Sequence, residues 1–91
     1  MWVIIRGRIL DNDTEEPISG VEYISSKNGI IYAITNNLGY YHNIWNPEYV
    51  NDTLRLAFVK KGYTLLKYDT ILSTSKGSIV YLPDLKMKKN K

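Results

Sequence analysis

The densest concentration of ionisable chemistry is the run Asp11-Asn12-Asp13-Thr14-Glu15-Glu16, four carboxylates in six residues. Alternating oxygens at Asp11, Asp13 and Glu15 have the look of a calcium loop, and paired carboxylates are the raw material of glycoside hydrolysis. An EF-hand loop also needs a glycine and a terminal bidentate glutamate at fixed offsets, and both are missing. Acid catalysis needs one carboxyl buried so that its pKa rises. Asp and Asn followed by Pro17 are instead the residues of a solvated turn. The run is therefore read as a turn between strands, ahead of a divalent-cation site at Asp11 to Glu16 and further ahead of a hydrolase.

The other chemical candidates are sparse. His42 is the only histidine, and a histidine metal site recruits more than one. A Ser-His-Asp arrangement needs a positioned serine, but Ser19, Ser25, Ser26, Ser73, Ser75 and Ser78 all fall in turns or at strand ends. Cysteine is absent, which excludes disulfides, thiolate nucleophiles and cysteine zinc sites. The expectation is no catalytic residue, no cofactor and no metal ligand. Aromatic residues are more suggestive. Tyr40, Tyr41, Trp45 and Tyr49 fall within ten residues, and an exposed platform of such rings can grip a partner or a sugar. Tyr41, Trp45 and Tyr49 are the candidate contacts. The competing reading is that tyrosine simply fills strand positions and Trp45 covers the open end of a sandwich.

Charge narrows the partners. The net charge is +3, yet Lys86, Lys88, Lys89 and Lys91 lie in the last six residues. Without them eight basic residues face nine acidic ones, so the body is near neutral and offers no nucleic-acid face. Residues 86–91 read as a basic, solvated C-terminal tail beyond a domain at 1–85. No apolar run approaches the roughly 18 residues of a membrane span, and Trp2 to Ile5 is too short for the core of a signal peptide. The chain is thus expected to be either a cytoplasmic protein or a trimmed exported domain.

The elements that position these residues are strands. Ninety-one residues make one domain. Trp2 to Leu10 alternates Val3, Ile5, Gly7 and Ile9 against Arg6 and Arg8, which is period two. Further strands are expected at 21–25, 30–35, 40–44, 53–59, 65–72 and 78–82. Turns are marked by Asn28-Gly29 and by Asn36-Asn37-Leu38-Gly39. Seven short strands without a helix predict an all-β, antiparallel Greek-key sandwich. Its expected core is Val3, Ile5, Ile9, Val21, Ile31, Leu54, Leu56, Phe58, Ile71 and Tyr81.

The order of features resembles the carboxypeptidase regulatory-like domain. "GRILDNDTEEPISGVEY" is similar to that family's opening, at Gly7, Asp11, Pro17, Gly20 and Val21. "AITNNLGYY" resembles its Thr-x-x-x-Gly-aromatic hairpin at Thr35, Gly39 and Tyr40, and "LRLAFVKKGY" its apolar strand ending in Gly62 and Tyr63. "SIVYLPDL" looks like the closing strand. The resemblance implies a seven-stranded, transthyretin-like sandwich. Such domains sit as accessory modules on exported bacterial proteins, including peptidases and outer-membrane nutrient receptors, abundantly in Bacteroidota. It implies no catalytic residues. Transthyretin-fold enzymes acting on hydroxyisourate use several histidines and a Tyr-Arg-Gly-Ser-like terminus, which "LKMKKNK" lacks. The expected function is a non-enzymatic accessory or interaction module with a protein partner or attached domains, in the periplasm or at the cell surface. The alternative is a small glycan-binding module using the aromatic cluster.

Overall fold

The computed structural model describes residues 3–25, 29–45, 53–71 and 78–90. The alternating stretch VIIRGRILD forms β1 (Val3–Asp11), the longest strand. It is followed by β2 (Glu22–Ser25), β3 (Ile31–Ile34), β4 (Tyr40–Trp45), β5 (Thr53–Val59), β6 (Leu66–Ile71), β7 (Ser78–Tyr81) and β8 (Leu85–Met87). β-branched and aromatic residues dominate these segments, as a pleated, half-buried surface favours. The described residues contain no helix, and therefore none long and apolar enough to cross a membrane.

Two sheets face each other. One runs β4-β1-β7, with β8 also paired to β1; the other runs β3-β2-β5-β6. Placing β4 beside β1 and β5 beside β2 interlocks the chain in a Greek-key fashion, so the expected all-β sandwich is the observed fold. Two details differ from the expectation. Eight strands are described where seven were counted, and β1 pairs parallel with both β7 and β8. β7 and β8 follow one edge of β1 almost continuously. Tyr81 lies opposite Arg6 and Leu85 opposite Ile9, so one extra residue is absorbed between them.

β8 corrects the reading of the C-terminal segment as a solvated tail for residues 86–90; Lys91 lies outside the described residues. Leu85 and Met87 alternate with Lys86 and Lys88, so period two persists inside a lysine-rich segment. Met87 is fully buried opposite Asp11. Thr64 N–H donates to the Lys88 carbonyl at 2.8 Å, and Asn90 N–H donates to the Gly62 carbonyl at 2.9 Å. Lys86 and Lys88 are exposed while the backbone around them joins neighbouring segments.

The core lies between the sheets. Ile5, Ile9, Val21, Leu56 and Phe58 are fully buried, as expected. Tyr23, Tyr41 and Phe58 form its centre, with ring centroids 5.1 to 5.5 Å apart. Rings at such separations add about 0.5–1.5 kcal/mol per pair beyond their burial. Two core expectations fail. Ile31 is 51% exposed because the β2–β3 register shifts between Tyr23 and Ile24, which carries Ile31 to the outer face. Tyr81 is exposed because it lies opposite Arg6, on the outer face of β1, leaving Val80 and Leu82 to point inward. The side chains of Val3, Leu54 and Ile71 lie outside the described residues.

Tight turns tie the layers together. The Asn36 side-chain oxygen accepts the Leu38 and Tyr40 amides at 2.9 and 3.1 Å. Gly39 closes this turn at φ 78, where a side chain would lie 2.6 Å from the Ile9 carbonyl. Thr35 is buried between the sheets' connections. Its hydroxyl accepts the Val21 amide at 2.9 Å and donates to the Ile18 carbonyl at 2.7 Å.

Candidate functional site

Asp11 continues the inward series Ile5, Gly7, Ile9, so its carboxylate is drawn into the end of the sandwich and is nearly buried. One oxygen accepts the backbone amides of Asp13 and Thr14 at 2.8 and 3.1 Å; the other accepts the Tyr63 hydroxyl at 2.9 Å. Those amides, then Tyr63, hold its carboxyl below the usual value. Burial and the same bond push the Tyr63 phenol up. Lys89 stands 3.7 Å from the carboxylate, and Lys86 reaches Glu15 at 2.6 Å. The lysines of the C-terminal segment thus lie over the acidic turn and offset its charge. Among the described residues, no group of three His, Asp or Glu side chains is placed to hold a metal ion. The turn accounts for the contacts of Asp11 with Asp13 and Thr14, while Tyr63 and Lys89 reach it from distant parts of the chain.

The aromatic candidates separate. Tyr41 is only 4% exposed and points into the core, opposite Gly7 of β1. Burial raises its phenol pKa strongly, and pushes the neighbouring Tyr23 up to about 12. Tyr41 is therefore not part of an exposed platform. The reason is the parity of β4: Tyr40 and His42 take the outer face, so Tyr41 takes the inner one. Trp45 closes β4 with its backbone opposite Val3, but its side chain and all of Tyr49 lie outside the described residues.

A different site forms on the outer face of the β4-β1-β7 sheet. Register places three rows across it. Ile44, Ile4 and Ile79 make an apolar row; His42, Arg6 and Tyr81 make the next; Tyr40 and Arg8 make the third. A groove of about 440 Å³ runs over the second and third rows. Arg8 donates to Asp84 at 2.7 Å and lies 5.4 Å from the Tyr40 ring centroid. The bond to Asp84 raises the Arg8 pKa further, so this guanidinium is permanently charged and already paired. Arg6 has no ion pair or side-chain hydrogen bond among the described residues. Tyr81, 71% exposed, stands beside it on β7. The alternation of Arg6 and Arg8 was readable in the sequence; Tyr81 joins them only through the long-range parallel pairing of β7.

The second notable surface is the edge of the other sheet that no described strand covers. β3 ends that sheet, exposing Ile31, Tyr32 and Ile34, and no charged residue lies within it. The opposite edge, β6, carries exposed Lys67 and Asp69. Charges on an edge strand oppose pairing with other chains. Among the described residues, one edge strand of this sheet carries charges and the other carries none. A crevice of about 430 Å³ between β3 and β4, lined by Tyr32, Ile34, Tyr40 and His42, adjoins the uncharged edge.

No family model matches the chain, and no curated protein matches it. Among solved structures, it is similar to a chain in the crystal structure of a mutant type II cohesin–X–dockerin complex from Acetivibrio cellulolyticus. The TM-score is 0.61 at 16% sequence identity, covering 93% of this chain and 56% of that one. The likeness is one of fold, and the chain spans about half the length of the one it matches.

Proposed function

We propose that this protein is a non-enzymatic interaction module that receives an extended, uncharged segment of a protein partner along the β3 edge. The observation that carries this reading is the asymmetry of the β3-β2-β5-β6 sheet, with Lys67 and Asp69 on one edge and exposed isoleucines on the other. Strand addition uses backbone hydrogen bonds for affinity and alternate side chains for specificity. Ile31 and Ile34 on the outer face, with the β3–β4 crevice beside them, provide such side-chain positions. The similar fold in a complex of interacting proteins is consistent with this use.

The accessory role implied by the carboxypeptidase regulatory-like resemblance belongs to the same proposal. Residues that carry the resemblance perform framework tasks: Gly7 admits Tyr41, Asp11 caps its turn, Thr35 joins two connections and Gly39 approaches β1. They specify a scaffold on which partner contacts are grafted, in keeping with a module of an exported bacterial surface protein.

Site-specific photocrosslinking in the source cells tests the reading. A photoreactive residue replaces Tyr32 or, as the control, Asp69. Adducts are then sized in envelope and cytosolic fractions. The expected result is one discrete heavier species in the envelope from position 32, lost when Ile34→Lys is added, and none from position 69. Equal labelling at both positions, no adduct at either, a cytosolic adduct, or an adduct of twice the chain's own mass would refute it.

A further inference from the structure

We infer that the groove over Arg6 is a binding site for an acidic sugar, a uronic acid unit within an oligosaccharide. The site centres on Arg6 and Tyr81, on the sheet that does not contain β3; it shares Tyr40 and His42 with the crevice beside the partner edge, whereas Arg6 and Tyr81 belong to it alone. Three features define it. The first is charge: two guanidiniums face the groove against the single carboxylate of Asp84. Asp84 is engaged by Arg8, and Arg6 on the central strand has no ion pair among the described residues. A guanidinium binds a carboxylate through two parallel hydrogen bonds, an arrangement an ammonium cannot supply.

The second feature is the pair of exposed rings. Tyr81 flanks Arg6 on β7, and Tyr40 stands over Arg8 on β4. A tyrosine ring offers an apolar face and a polar tip. A sugar ring has the same division, with apolar C–H faces and a polar rim. A carboxylate on Arg6 would lay the attached ring towards Tyr81, and His42, across Arg6 on β4, adds a polar group on the other side. The third feature is size. A groove of about 440 Å³ falls within the range of small-molecule sites, roughly 300–1,000 Å³. It admits one or two sugar rings, a uronic acid on Arg6 and one neighbour of the same oligosaccharide.

The glycan-binding expectation drawn from Tyr41, Trp45 and Tyr49 thus moves to other residues on a different physical basis. Charge recognition leads, and the rings orient. Arg6, Tyr81, His42 and Tyr40 all sit on paired strands, so the groups proposed to meet the sugar are held by the sheet.

Isothermal titration calorimetry on the full chain tests this inference, with trigalacturonate as the probe, the neutral trisaccharide galactotriose as one comparison and poly-aspartate as the other. Saturable binding of trigalacturonate is expected, weakening as salt rises. Arg6→Gln weakens it about tenfold or more, the loss of a charged hydrogen-bond pair. Tyr81→Ala weakens it as well. Both positions are exposed, and unchanged circular dichroism and Tm verify that the variants fold. Absence of saturable trigalacturonate binding overturns the inference. So does equal binding of the neutral trisaccharide, undiminished binding by Arg6→Gln, or tighter binding of poly-aspartate than of the sugar. Arg6→Gln and Tyr81→Ala leave the residues of the β3–β4 crevice unchanged, so failure here is distinguishable from failure of the β3 crosslink.

Discussion

Gly7→Ala is the smallest change that should damage this core severely. Gly7 sits on the inner face of β1, directly opposite Tyr41. A Cβ there would lie 2.3 Å from the Tyr41 hydroxyl oxygen, 2.5 Å from Cζ and 2.9 Å from Cε1. Ordinary contacts between carbons are about 3.5–4.0 Å, so the ring must retreat by roughly an ångström. It has nowhere easy to go, because Tyr23 and Phe58 hold it at centroid distances of 5.1 and 5.2 Å. Overpacking of this kind costs about 1–3 kcal/mol, and disturbed ring pairs add about 0.5–1.5 kcal/mol. Against a total stability of roughly 5–14 kcal/mol for a domain of this length, that is a large fraction. At about 4–8 °C per kcal/mol, Tm falls by roughly ten degrees or more. Urea unfolding followed by far-UV circular dichroism should show a lower midpoint at unchanged slope. Tyr41→Leu, destabilising alone, should partly rescue Gly7→Ala, with a coupling of about 1 kcal/mol or more in the double-mutant cycle. A Gly7→Ala variant within about 0.5 kcal/mol of the parent, or strict additivity with Tyr41→Leu, would refute the reasoning.

Thr35→Val keeps the shape of a buried side chain but strands the Val21 amide and the Ile18 carbonyl; a loss of about 2–3 kcal/mol is expected in urea unfolding. Met87→Ala should cost about 2–4 kcal/mol, because the side chain is fully buried; a solvated tail residue would cost almost nothing. Asp11→Asn is read through pH. The native carboxyl is held below its ordinary 3.8, chiefly by the Asp13 and Thr14 amides. The stability it supplies is therefore complete above that value and is lost as pH falls through the lower native one. Asp11→Asn should lower Tm at neutral pH and flatten the acid limb of a Tm-against-pH curve; an unchanged acid limb would contradict this.

Strand positions were legible because local signals agree along most of the chain: period-two alternation in β1 and β5, Asn36 and Gly39 at a turn, and Asp11 ahead of Pro17. Faces were legible only where pairing is regular. Ile31 has the composition of a core residue, and a register shift in its partner strand decides otherwise. Tyr81 has the same composition, but a strand more than seventy residues earlier fixes which way it points. Such long-range pairing leaves no trace in local spacing. β8 was hidden for the opposite reason: the lysines around Met87 look like a tail, though the alternation that buries Met87 is present. The candidate site was half visible. Arg6 and Arg8 are an evident outward pair, whereas the ring beside them arrives from the far end of the sequence.

The parallel zipper of β1 with β7 and β8 also governs when the fold can close. During synthesis β1 is made before every other described strand, and the β7–β8 segment that covers its second edge is made after all the others described. Until Leu85 and Met87 emerge, Ile5 and Ile9 lack part of their cover. A nascent chain halted shortly before Leu85 has seven of these strands but lacks the last of its closing edge. Such a chain stays open, exposed to chaperones and proteases. Emergence of β8, more than completion of any one strand pair, is the event that commits these strands to their native arrangement.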